Sequence, residues 1–104
     1  MSKDGRFAIV RGGGDLATGI IYRLWRSGFR VLSLETCTPL VVRRTVSAAS
    51  AVFNGSVVID GMPAKKISST DEVFAGGDVS VLIDPEGDSI KKLRPDLLVD
   101  AIMA

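Results

Sequence analysis

Phe7-Ala8-Ile9-Val10-Arg11-Gly12-Gly13-Gly14-Asp15-Leu16-Ala17-Thr18-Gly19 is the stretch that decides how the rest of the chain is read. Four apolar residues and Arg11 lead into three consecutive glycines, and a helical pattern starts directly behind them. The order is strand, tight turn, helix N-terminus. Gly12, Gly14 and Ala17 fit the spacing G-x-G-x-x-[G/A]. In that spacing the first glycine makes the turn, the second lets backbone approach a pyrophosphate, and the small third residue packs helix on strand. The first amides of a helix lack intrahelical acceptors and lie at the positive end of its dipole, so such a turn is suited to anions. Glycine-rich turns are also common as plain turns, so the surrounding pattern has to carry the rest of the argument.

Over Asp15 to Ser27, apolar residues recur at Leu16, Ile20 and Leu24 and at Ala17, Ile21 and Trp25, one broad stripe at helical spacing. Gly28 is a natural C-terminal stop. A second strand, Arg30 to Leu34, leads to Glu35, which lies 21 positions after Gly14. An acid about 20 residues beyond the glycines is placed to accept a hydrogen bond from a ribose hydroxyl. Strand, glycines, helix, strand and acid together predict a Rossmann-type nucleotide site. The plain alternative is a structural turn, with Glu35 ending a surface strand.

At 104 residues the chain is one domain, too short for a two-domain enzyme. A hydrophobic share of 46% against 24% charged belongs to an ordered globular chain. Thirteen basic and twelve acidic residues give a net charge of +1, which makes no case for a nucleic-acid or acidic-membrane binder. There is no histidine, so histidine-dependent nucleophile activation, metal ligation and proton shuttling cannot be supplied by this chain. The single Cys37 forms no internal disulfide, and the polar N-terminus has no signal-like apolar segment, so a reducing cytoplasm is expected. No apolar run approaches the ~20 residues of a membrane span.

Further along, Pro39 suits the first turn of a helix over 40–52 that Asn54-Gly55 ends. Val57 to Ile59 and Ala64 to Ile67, around Asp60-Gly61-Met62-Pro63, predict a β-hairpin inserted in an alternating α/β chain. Asp71 to Ala75 reads as one helical turn. Val79 to Ile83 reads as a strand buried on both faces, Ser89 to Leu93 as a short helix and Leu97 to Ile102 as a fourth central strand. The expected architecture is a three-layer Rossmann-like domain with a mostly parallel sheet of about four strands and an inserted hairpin. Because the chain stops within an apolar segment, it reads as the N-terminal part of something larger or as a chain that docks its end on a partner.

Ligands of open α/β sheets bind at the carboxyl ends of the parallel strands. That rule selects Arg11 to Asp15, Glu35 to Thr38 and Asp84 to Gly87. Arg11 could reach a phosphate or pair with Glu35 or Asp84, and is otherwise a surface arginine. Asp15 reads first as a helix cap, and its carboxylate there would repel a phosphate. Arg43 and Arg44 lie in the first turns of the 40–52 helix, where the dipole disfavours cations, so an anionic ligand or partner acids would account for them. A solvated face is the alternative. Asp84 and Glu86 could serve as acid and base or hold Mg²⁺, although Asp-Pro-Glu-Gly is also ordinary turn chemistry. Cys37 reads as a plain strand-end thiol, since no base in the chain would activate it. The ligand set expected from the residues is Arg11, Gly12, Gly13, Gly14, Asp15, Glu35, Arg43, Arg44 and Asp84, with no metal.

Several longer words are more specific than the glycine turn. Arg11-Gly12-Gly13-Gly14-Asp15-Leu16-Ala17-Thr18-Gly19, Gly28-Phe29-Arg30-Val31, Pro39-Leu40 followed by Arg43-Arg44-Thr45-Val46, Asp84-Pro85-Glu86-Gly87, and Arg94-Pro95-Asp96 leading to Val99-Asp100-Ala101 are spread over nearly the whole chain. Together they resemble the N-terminal half of the accessory proteins of selenium-dependent molybdenum hydroxylases, the YqeB-like family. The resemblance implies a Rossmann-like domain that helps prepare or insert the cofactor of a xanthine-dehydrogenase-like enzyme. It marks Gly12, Gly14, Asp15, Ala17, Gly19, Glu35, Arg43, Arg44 and the 84–87 loop as motif positions without giving each a role. Two departures stand out. Cys37-Thr38 occupies a position where other residue types are expected, and the family's second half, with a further glycine-rich segment, is not in this sequence.

The function expected is therefore maturation of a molybdenum hydroxylase, through binding of an NAD-type nucleotide or a molybdopterin-type cofactor at the glycine turn. The partners expected are that client enzyme or the missing C-terminal half, with a homo-oligomer compatible with the open edge. Two other readings stay open: an NAD-dependent dehydrogenase half-domain, and a protein-interaction module whose glycine turn is structural.

Overall fold

The computed structural model describes residues 6–12, 15–35, 55–74 and 78–101. Gly13, Gly14, Cys37, Arg43, Arg44 and the helix expected over 40–52 lie outside the described residues. The elements run β1 (Phe7–Arg11), α1 (Asp15–Arg26), β2 (Arg30–Glu35), β3 (Ser56–Ile59), β4 (Met62–Ile67), β5 (Val79–Ile83), α2 (Asp88–Leu93) and β6 (Leu97–Asp100). The fold is α/β, built on a six-stranded sheet in the order β3-β4-β5-β2-β1-β6. Each neighbouring pair runs parallel except β3 with β4.

Strand β1 is the shared neighbour of β2 and β6. Phe7, Ala8, Ile9 and Val10 are all buried, as a strand covered on both faces requires. Alternation divides them. Val10 joins Ala17 and Ile21 of α1, whereas Phe7 and Ile9 join Leu32, Leu34, Ile67 and Leu82, against which Ile90 and Leu93 of α2 pack. The two helices thus cover opposite faces of the sheet. Helix α1 ends as its glycine predicts. The Gly28 amide donates to the Trp25 carbonyl and the Phe29 amide to the Leu24 carbonyl, each at about 3 Å, with Gly28 at φ +97°.

Three expectations need correction. The hairpin is not set apart from a four-stranded sheet. A two-residue turn, Asp60-Gly61, with positive φ at both residues, returns the chain so that β4 lies parallel beside β5. Met62 and Pro63, placed in the turn by the sequence, belong to β4, whose Met62, Ala64 and Ile67 are buried in the core while Lys65 and Lys66 are exposed. Strand β6 is not central. Among the described residues it forms the sheet edge, leaving Leu97 38% and Leu98 47% exposed. Leu16, expected on the buried stripe of α1, is 61% exposed, because the stripe centres on Ala17 and Ile21.

Candidate functional site at the carboxyl ends of the strands

From β1 the chain steps to β2 and onward to the β5 side of the sheet, then returns to lay β6 on the other side of β1. The reversal falls between the carboxyl ends of β1 and β6, the position where open α/β sheets leave a crevice. Arg11 and Asp100 face each other there in register.

The glycine turn leaves β1 under tight control. Gly12 has φ +114°, a conformation rarely open to a residue with a Cβ. Its amide donates to the Leu34 carbonyl at 2.7 Å, and its carbonyl accepts the Ser33 hydroxyl at 2.8 Å. Ser33 is fully buried. Both groups that hold the turn therefore come from β2, and Asp15 opens α1 three residues after Gly12, as the sequence predicts.

Glu35 closes β2 in a buried position. Val31 belongs to the core cluster under α1, and alternation puts Ser33 and Glu35 on that same face. The acid that the spacing singled out is thus on the glycine-turn side of the sheet. Its backbone carbonyl accepts the Asp84 amide at 2.8 Å, which brings the loop after β5 to the same end.

Arg11 follows Phe7 and Ile9 onto the opposite face. Its guanidinium lies beside Gly87, where a Cβ would sit 3.6 Å from both Cζ and Nε. Its ion-pair partner is Asp100, at 3.9 Å, rather than the Glu35 or Asp84 considered from the sequence. The Asp84 carboxylate is turned to α2 instead. One oxygen accepts the Asp88 amide at 3.2 Å and the other the Ser89 amide at 2.8 Å. Burial pushes the Asp84 carboxyl up, but hydrogen bonds from the Ser89 hydroxyl and from the Ser89, Asp88 and Gly87 amides outweigh it, and the group sits below its ordinary value. Glu86 is exposed in the turn between β5 and α2. Among the described residues no group of three or more acids or cysteines is arranged to hold a metal ion, and no helix is long and apolar enough to cross a membrane.

Sequence reasoning missed Ser33 and Asp100. Ser33 carries a visible signal, a hydroxyl inside the apolar run Val31-Leu32-Ser33-Leu34. A buried hydroxyl in such a strand needs an acceptor, and the nearest open carbonyls belong to the turn that leaves the neighbouring strand. Asp100 carries none, because its meeting with Arg11 depends on which side of β1 the last strand joins.

No family model and no solved structure matches the chain. The chain is similar to the uncharacterized protein YqeB of Escherichia coli (strain K12), with 37% identity over 102 residues. The match takes in 95% of this chain and 19% of that relative, so the chain spans about a fifth of the relative's length. This similarity agrees with the YqeB-like resemblance read from the motifs, but a fifth of the relative's length corrects the half expected from them.

Proposed function

We propose that this chain is a Rossmann-like, three-layer nucleotide-binding domain of a YqeB-like protein. It would act in the cytoplasm as an accessory to maturation of a selenium-dependent molybdenum hydroxylase. The ligand is an NAD-type nucleotide or a molybdopterin-type cofactor with its phosphate at the glycine turn. One observation carries this reading: the Gly12 turn, clasped by Leu34 and Ser33 at the end of β1, with Glu35 on the same face of the adjacent strand. These bonds fix where the chain leaves β1 and so where α1 begins, the helix end at which a phosphate would be held, and the neighbouring carboxylate suits a ribose hydroxyl. The maturation role rests on the motif words of the sequence, and the client enzyme and the remainder of a longer chain are its expected partners.

The test is calorimetric titration of wild type and Gly14→Val with NAD⁺, NADH, AMP, CTP and a molybdopterin nucleotide. Selective micromolar binding, lost in a folded variant, is the expected result, and the compound that binds separates cofactor maturation from redox use. A folded wild type that binds none of them overturns the reading. A second reading, an interaction module, is favoured by the exposed Leu97 and Leu98 on β6, the sheet edge among the described residues. It predicts that Gly14→Val lowers stability without touching any small-molecule affinity.

A further inference from the structure

The glycine turn and Glu35 use only the α1 face of the sheet, and Arg11 lies on the other. Its side chain, which ends in a permanently charged guanidinium, is 28% exposed. A guanidinium carries five N–H donors in a planar fork, and a covered one is ordinarily met by a carboxylate at hydrogen-bonding distance. Arg11 is not met in this way. Among the described residues its guanidinium makes no hydrogen bond, and its one ion pair, to Asp100, spans 3.9 Å to a side chain that is 62% exposed. Asp84, in the loop after β5, has both oxygens committed to the amides of α2. Gly87 lies beside it, where an added Cβ would come within 3.6 Å of the guanidinium Cζ and Nε. The arrangement sits at the switch between β1 and β6, beside the turn.

We infer that Arg11 is a second oxyanion subsite of the proposed nucleotide site, on the opposite face of the sheet from the glycine turn, in which a phosphate or carboxylate of the ligand displaces Asp100 from the guanidinium. The inference rests on the nucleotide reading for the rest of the ligand and adds its chemical class: a nucleotide with a second anionic group beyond the phosphate at the turn. Asp100 acts as the placeholder. A long, solvent-screened ion pair is weak and is readily exchanged for an anion that offers two oxygens to the fork.

The test follows the Nε–H resonance of Arg11 by NMR in the full chain as inorganic phosphate, and separately acetate, is added to wild type, Asp100→Asn and Gly14→Val. A saturable shift is expected in all three, about three- to fivefold tighter in Asp100→Asn, since that change removes a competing exposed ion pair. Which anion binds more tightly separates a phosphate group from a carboxylate. No saturable shift with either anion, or equal affinities in wild type and Asp100→Asn, overturns the subsite. A second measurement compares AMP with ADP. Wild type should favour ADP by about tenfold, as expected of a charge-assisted contact, and the preference should vanish in both Arg11→Gln and Arg11→Lys. If AMP binds in a Gly14-dependent way and the preference survives loss of Arg11, the subsite falls while the nucleotide reading stands. If neither nucleotide binds but phosphate saturates Arg11 more tightly in Asp100→Asn, the nucleotide reading falls and the subsite stands.

Discussion

The Ser33 hydroxyl donates to the Gly12 carbonyl at 2.8 Å, joining residues 21 positions apart in a site from which water is excluded. Val10 and Ser33 are register partners, so the bond crosses from β2 to the first residue beyond β1. It fixes the direction in which the turn leaves the sheet, and with it the start of α1. Ser33→Ala removes the donor and strands a buried carbonyl, at a cost of about 1–3 kcal/mol. Urea denaturation should show the loss as a lower midpoint with an unchanged slope. An unchanged midpoint would mean that the turn finds another donor.

Two glycines of the same motif should respond in opposite directions to one added methyl group. Gly12, at φ +114°, holds a conformation that alanine adopts only with strain, and Gly12→Ala should cost about 1–3 kcal/mol. Gly19 lies inside α1, and a Cβ there would meet nothing within 4 Å. Gly19→Ala should stabilise by about 0.5–1 kcal/mol, through better helix propensity and a less flexible unfolded chain. Thermal unfolding of the two variants beside wild type separates them by sign. A destabilised Gly19→Ala would point to a close approach by something other than the described residues.

Gly87 combines strain with crowding. It has φ +74°, and a Cβ would stand 3.3 Å from the Ile90 Cδ1 and 3.6 Å from the guanidinium of Arg11. Gly87→Ala should therefore cost about 1–2 kcal/mol, in the range for left-handed strain at a non-glycine residue. It should also alter the Arg11 Nε–H resonance. Loss of stability with that resonance unmoved would show that the methyl group is absorbed by Ile90 alone.

The centre of this fold is legible in the amino-acid sequence and its edges are obscure there, for physical reasons. β1, α1 and β2 are buried, and burial writes itself into a chain as apolar runs and a helical stripe, so the pattern of residues alone places Val10, Ala17, Ile21 and Val31 in the core. The spacing from Gly14 to Glu35 is readable because one helix and one strand of ordinary length separate them. At the edges pairing decides, and pairing leaves little trace. Ala64 to Ile67 is readable as a hairpin strand, but nothing in it tells that β4 starts at Met62 and lies parallel beside β5. The apolar run beginning at Leu97 implies a central strand, yet among the described residues β1 is its one neighbour in the sheet. Asp84 is readable as a turn acid, but its use as the acceptor for α2 follows from a loop geometry that no spacing encodes.

That use of Asp84 makes a pH prediction with a definite sign. Its carboxyl is held below the ordinary value in the folded protein, because hydrogen bonds from Ser89, Asp88 and Gly87 outweigh the opposing effect of burial. A group with a depressed folded pKa contributes stability that is fully present above its unfolded pKa of about 3.9 and is lost as pH falls through the folded value. Asp84→Asn keeps the shape and one acceptor but removes the charge, and at pH 7 should cost about 1 kcal/mol, the usual size of a lost helix-start acceptor. The gap between wild type and variant should stay constant from pH 7 to about 5 and close as the solution is acidified below about pH 4. Urea midpoints of both proteins across that range measure it. A carboxylate reserved for chemistry behaves in the opposite way, since its removal commonly stabilises the protein that carried it. A more stable Asp84→Asn would therefore take Asp84 out of the scaffold and return it to the binding site.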